Sequence, residues 1–204
     1  MSIVNRTVSL LAAGLFAFAA AAADAPAPKL EQVDDWGLRC VTPSGGSEIC
    51  ELVQDRIATR KDAGKDAPGQ WLAGVLLSYV PGNDKLQMLV RTRLPVGVGA
   101  GVQFSVPGMT QPARIPFNYC DEKGCSTIRV ELEPDVVQKF KDSEAAFAKD
   151  PNAPQPMLVI VLAVGDPQGA GQFQGVDIPI STKGFTRASS RLTRPPAPAA
   201  ATKK

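Results

Sequence analysis

Phe117-Asn118-Tyr119-Cys120-Asp121-Glu122-Lys123-Gly124-Cys125 reads as a β-hairpin closed by a disulfide. The two cysteines stand a tight turn apart, and Gly124 is a turn residue. An aromatic approach from Arg114 to Tyr119 enters the hairpin. Ser126 to Leu132 leaves it as an alternating strand, with Ile128, Val130 and Leu132 facing one way. Cys40 and Cys50 repeat the device earlier, around Pro43, Gly45 and Gly46. The chain has 4 cysteines, and such a set allows three connectivities. Short separations and intervening turn residues favour Cys40 with Cys50 and Cys120 with Cys125. By loop-closure entropy the first bridge is worth roughly 3 kcal/mol and the second roughly 2 kcal/mol.

Paired cysteines belong to an oxidising compartment, and the N-terminus agrees. Arg6 gives a positive n-region, Val8 to Phe18 an apolar core, and Ala21-x-Ala23 the small residues of a cleavage site. Residues 1–23 therefore read as a secretory signal peptide, cut near Ala23. The apolar run is too short for a confident spanning helix. Residues 24–32 read as a flexible leader and 33–192 as one domain of ordinary size. Residues 193–204, with Pro195, Pro196 and Pro198, read as a disordered Pro/Ala-rich tail.

Between these ends the pattern is mostly of period two. Trp36 to Cys40 and Glu48 to Arg56 form a first strand pair, whose imperfectly sorted faces suggest a sheet edge. Lys61 to Gly69 is a polar loop, Trp71 to Val80 a strongly apolar strand, and Pro81-Gly82-Asn83-Asp84 a turn. Lys85 to Leu94 returns with Leu86, Met88, Val90 and Leu94 on one face. The glycine-rich run Pro95 to Gly101 leads into a β pattern, Val102 to Val106. It reads as a bent β-connection and not as a phosphate-binding loop, which opens a helix.

Pro134 and Asp135 then start the one long helix. Val136, Val137, Phe140 and Phe147 lie on one face, and the helix ends near Asp150-Pro151. Met157 to Val164 is continuously apolar and reads as a central strand buried on both faces. Phe173, Val176, Ile178 and Ile180 close the sheet. Phe185, Ala188 and Leu192 have the spacing of a short terminal helix, capped by Ser181. The fold class is mainly β: an antiparallel β-sandwich or barrel-like domain with one mid-chain helix and a short C-terminal helix.

Candidate chemistry is sparse. The sequence contains no histidine, which excludes Ser-His-Asp triads, Cys-His dyads and His-ligated metals. Cys120-x-x-x-x-Cys125 is not the C-x-x-C of a thiol oxidoreductase. Asp121, Glu122 and Asp177 could serve acid–base chemistry only by converging in a cleft. Ser181 and Lys183 lack the S-x-x-K spacing of a Ser-Lys enzyme. Trp36, Trp71 and Met88 would have to flank an opening to hold an apolar ligand. Arg91, Arg93 and Gln87 make a polar strand face, read as solvated. A net charge of +2 gives no support for nucleic-acid binding. No catalytic residue, metal or cofactor is expected.

The ordered set Trp36-Gly37-Leu38-Arg39-Cys40, Cys50-Glu51-Leu52, Leu94-Pro95-Val96-Gly97 with Gly101-Val102, Pro116-Phe117 to Cys120, Gly124-Cys125 and Ile180-Ser181-Thr182-Lys183-Gly184-Phe185 resembles the invasion-associated locus B family of exported bacterial proteins. It covers residues 36 to 192. Thr182 stands where the family more often has an apolar residue. The resemblance implies a periplasmic or secreted domain, linked in some bacteria to host-cell entry, and implies no enzyme, cofactor or known ligand. The signal peptide, the paired cysteines and the lack of a catalytic grouping point to a non-enzymatic envelope or secreted protein that acts through protein contacts. Its partner would be a protein of the envelope or of a host cell, met through exposed loops such as Lys61 to Gly69. The alternative is a periplasmic binder of a small molecule or lipid. No transmembrane helix is expected after signal cleavage.

Overall fold

The computed structural model describes residues 29–42, 48–58, 70–93, 95–164 and 172–194. The stretches read as signal peptide (1–23), as a turn around Pro43 to Gly46, as the loop Lys61 to Gly69 and as the tail beyond Arg194, together with Leu94 and residues 165–171, lie outside the described residues. The strands are β1 (Lys29–Val33), β2 (Trp36–Val41), β3 (Ile49–Ala58), β4 (Gln70–Ser78), β5 (Leu86–Thr92), β6 (Val102–Ser105), β7 (Ala113–Ile115), β8 (Phe117–Asp121), β9 (Gly124–Thr127), β10 (Val130–Leu132), β11 (Met157–Val164) and β12 (Gln172–Pro179). The helices are α1 (Pro134–Lys149) and α2 (Phe185–Ser189).

Two antiparallel sheets result. The first runs β1-β2-β3-β4-β5-β9-β8, with β10 also paired to β5; the second runs β12-β11-β6-β7. Of the two shapes expected, the chain adopts the sandwich and does not close into a barrel. The chain changes sheets at Pro116, between β7 of the second and β8 of the first. Proline has no N–H to give a ladder, so it suits a point where pairing stops.

One apolar core lies between the sheets. Strands β2 to β5 contribute Trp36, Leu38, Leu52, Val75, Leu77, Met88 and Val90; the second sheet contributes Phe104, Leu158, Ile160 and Ile178. A row of aromatic rings crosses this core. Trp36 on β2 meets Phe185 of α2 at 5.8 Å between centroids, Phe185 meets Phe140 of α1 at 4.9 Å, and Phe140 meets Phe104 on β6 at 6.0 Å. Trp36, Phe140 and Phe185 are fully buried. The 3.6-residue period places Phe140 and Ser143 on the buried face of α1. Pro134 occupies its first turn, and the Lys139 ammonium, bonded to Asp135 at 2.8 Å, holds the Asp135 carboxyl below its ordinary range.

Five expectations need correction. Lys29–Val33, read as leader, forms β1 and pairs with β2 from Lys29↔Cys40 to Val33↔Trp36. The β2–β3 pair is therefore not the sheet edge. Lys-Leu-Glu-Gln-Val has little intrinsic strand preference; the ladder to β2 and the Arg191–Glu31 ion pair from beyond α2 hold it. Ser126 to Leu132 is two strands, not one. Thr127 Oγ1 accepts the Val90 N–H at 3.0 Å and the Ile128 N–H bonds Pro116 O at 3.1 Å, which turns Ile128 out to solvent. β11 is apolar throughout, yet from Met157 to Val161 it buries only the face of Leu158 and Ile160; Met157, Val159 and Val161 are half-exposed. Past Leu192 the chain is still held, by Thr193 Oγ1 donating to Glu48 O at 3.2 Å and Arg194 lying 5.1 Å over the Tyr79 ring.

The aromatic row yields a prediction. Phe140→Ala lowers unfolding free energy by about 3–5 kcal/mol, as truncation of a buried phenylalanine does. Gln138→Ala, on the exposed face of the same helix, changes it by about 0.5 kcal/mol or less. Urea denaturation followed by circular dichroism checks both.

Candidate functional site

The cysteines sit opposite one another in register. Cys40 faces Cys50 across β2 and β3, and Cys120 faces Cys125 across β8 and β9. Both pairs are disulfide-bonded, with Cα atoms 4.0 Å apart in each. Cys50 and Cys125 point into the core, whereas Cys120 is exposed. On the opposite face of β2–β3, Arg39 forms an ion pair with Glu51. Asp121 Oδ1 accepts the N–H groups of Lys123 at 2.8 Å and Gly124 at 3.1 Å, which closes the turn over Glu122-Lys123. Gly124 has φ +152°, and a Cβ there would fall 2.0 Å from Thr92 O, so the hairpin packs on β5 only with glycine in place.

A polar cluster joins the other end of the first sheet to the C-terminal segment. Gln54 of β3 is 3% exposed and fully bonded. Its Nε2 donates to Asp35 O and Ser181 O at 3.1 Å each, and its Oε1 accepts the Ser181 N–H at 2.8 Å and an Arg56 N–H at 2.7 Å. Ser181 Oγ donates to Asp35 Oδ2 at 2.6 Å. Thr182 is fully buried, and its N–H and Oγ–H both bond Gln155 Oε1, at 3.1 and 2.7 Å. A glutamine partner thus makes a hydroxyl tolerable at this buried position. Burial lowers the Arg56 pKa from its ordinary value, and the charge of Asp35 partly offsets that.

These bonds decide the fate of the candidate residues. Ser181 Oγ accepts the backbone N–H of Lys183 at 3.3 Å, and the two side chains do not form a dyad. Ser181 also does not cap α2; Gly184 holds the cap position, and Glu144 of α1 accepts the Thr186 N–H at 2.9 Å. Asp121 and Glu122 stand exposed on a turn of the first sheet, and Asp177 is exposed on β12 of the second. Among the described residues one group of three potential metal donors falls within 4.8 Å, Cys40, Glu48 and Cys50, and its sulfurs are bonded to each other. Trp36 and Met88 are fully buried in the core, so they flank no opening. Trp71 lies on the outer face of β4 and donates its Nε1–H to Asp55 Oδ1 at 2.9 Å. Arg91 is exposed, while Gln87 and Arg93 are half-buried.

Gln54, Asp35 and Gln155 hold the cluster but did not stand out in the sequence, nor did Glu144, which accepts from Thr186. Gln54 had one visible signal: it alternates with Cys50 and Leu52 on the buried face of its strand. A depression of ≈ 240 Å³ opens beside the cluster, lined by Leu30, Gln32, Asp35, Gly37, Val53, Gln54 and Asp55.

Architecture and cysteine pairing define a two-sheet antiparallel sandwich with a disulfide across each of two hairpins. The family model described as Invasion associated locus B (IalB) protein matches residues 36–193, and the chain belongs to that family. The crystal structure of invasion associated protein B from Bartonella henselae is similar in fold, with a TM-score of 0.56 and 12% sequence identity over 80% of this chain and 93% of that one. No curated protein sequence matches the chain.

The bridges carry a stability prediction. Replacing Cys40 and Cys50 by serine lowers unfolding free energy by about 3 kcal/mol, and replacing Cys120 and Cys125 by about 2 kcal/mol. Paired denaturation curves measure both losses. Non-reducing peptide mapping of the parent protein gives the Cys40–Cys50 and Cys120–Cys125 peptides and no crossed ones.

Proposed function

We propose that the protein is an exported, non-enzymatic envelope or secreted protein that acts through protein contacts, in a role related to host-cell entry. The signal peptide of residues 1–23 would direct it to the periplasm or beyond. Membership of the invasion-associated locus B family is the observation that carries this reading. The two disulfides suit an oxidising compartment. Two of the polar residues that offered chemistry are engaged in holding the fold: Asp121 closes a hairpin and Ser181 ties three segments together. No helix among the described residues is long and apolar enough to cross a membrane. Rigid β scaffolds present recognition surfaces at loops and faces. Leu30 and Tyr119, 62% and 61% exposed, are apolar side chains that a partner could cover.

Proximity labelling with the oxidised, mature protein in its own envelope tests this proposal. The expected outcome is reproducible labelling of a specific envelope or host-surface protein, lost when both disulfides are removed. Uniform background labelling, or retention of the protein in the cytoplasm, would overturn it.

A further inference from the structure

We propose that the outer face of the first sheet carries a socket for one basic side chain, lysine or arginine, of a protein partner. This rests on the contact role proposed above and gives that contact its chemistry. The socket is the ≈ 240 Å³ depression, and Leu30, Gln32, Asp35, Gly37, Val53 and Asp55 shape it.

Gly37 keeps the floor open. A Cβ there would come within 2.9 Å of Leu30 Cδ1 and 3.6 Å of Val53 O, so any side chain would fill the space between β1 and β3. Leu30 leans over this gap although it is 62% exposed, and Val53 opposite is half-buried. These two apolar walls match the aliphatic stem of a long cationic side chain.

The charge at the end of the socket completes the match. Asp34 and Glu31 nearby are already paired, with Arg187 at 2.5 Å and with Arg191. Asp55 and Asp35 form no ion pair among the described residues. Among the described residues the Asp55 carboxylate receives only the neutral Trp71 indole N–H, and the Asp35 carboxylate only the Ser181 hydroxyl. Gly74 lets Asp55 lie flat over β4, where a Cβ would stand 2.7 Å from Asp55 Oδ1. The next cation along that row is Arg91, one strand further on, opposite Gly74. Arg56 lies on the inner face with Gln54, to which it is bonded; its charge is felt by Asp35, so Asp55 is the stronger anchor. Among the described residues neither aspartate belongs to a group of three potential metal donors. A cationic head at these carboxylates gains charge-assisted hydrogen bonds.

The test titrates the blocked peptide acetyl-Gly-Lys-Gly-Lys-Gly-amide into the oxidised, ¹⁵N-labelled mature protein and follows the Trp71 indole N–H resonance. The expected result is a saturable shift, absent for the same peptide with both lysines acetylated. Asp55→Asn keeps an acceptor for Trp71 and weakens binding about fivefold, the size of one exposed ion pair. Asp35→Asn/Asp55→Asn weakens it further, and Val53→Arg, which puts a guanidinium into the socket from a solvent-facing position, abolishes it. An unmoved Trp71 resonance, equal affinity for the acetylated peptide, or full affinity in the folded double variant or in Val53→Arg would overturn the socket. The contact role is judged separately. A partner labelled equally by parent and double variant leaves the role standing and removes the socket from it; absence of any specific partner removes the role, while the titration still decides the socket.

Discussion

The fold depends on the row of rings from Trp36 through Phe185 and Phe140 to Phe104. Each sheet supplies one end of it, and each helix one ring in the middle. Neither helix needs strong intrinsic stability under this arrangement. α2 spans only Phe185–Ser189 and could not persist alone in water. It exists because Phe185 and Ala188 are fully buried and Glu144 of α1 receives its Thr186 N–H. Each ring pair adds about 0.5–1.5 kcal/mol to the burial of the rings themselves. These contacts join residues far apart in sequence, so closing the row gathers most of the chain around one centre.

The polar features act at the periphery of that centre. The two disulfides hold hairpins within the first sheet, one across β2–β3 and one at the β8 edge. Gln54 does by hydrogen bonding what the rings do by packing: it fixes the turn at Asp35 and the segment at Ser181 to the same strand. A buried amide with every bond satisfied costs little and selects one arrangement of the segments around it. The result is a rigid sandwich whose outer face, over β1 to β4, is free to display Leu30, Val53, Trp71 and Asp55.

Much of this was legible in the sequence. Period-two strands, the cysteine spacings and the Pro134 helix start are local signals, and most elements follow from them. What was not legible depends on neighbours distant in the chain. β1 is a strand only because β2 and Arg191 hold it. Ile128 faces solvent because Thr127 and Pro116 take over the local bonds. β11 is apolar on both faces, yet burial of one face is decided by what packs against it. The polar cluster was hidden for the same reason: Gln54 and Ser181 are 127 residues apart and meet only after the sheets close. The chain belongs to the invasion-associated locus B family, and the Bartonella structure is similar to it in fold at 12% identity.

Native-state hydrogen exchange on Phe185→Leu tests the dependence on the aromatic row most directly. If the rings join the two sheets, amides of β2 to β5 and of β6 and β11 lose protection together and by a common factor. Loss of protection confined to α2 and its flanking residues, with both sheets unchanged, would contradict the account.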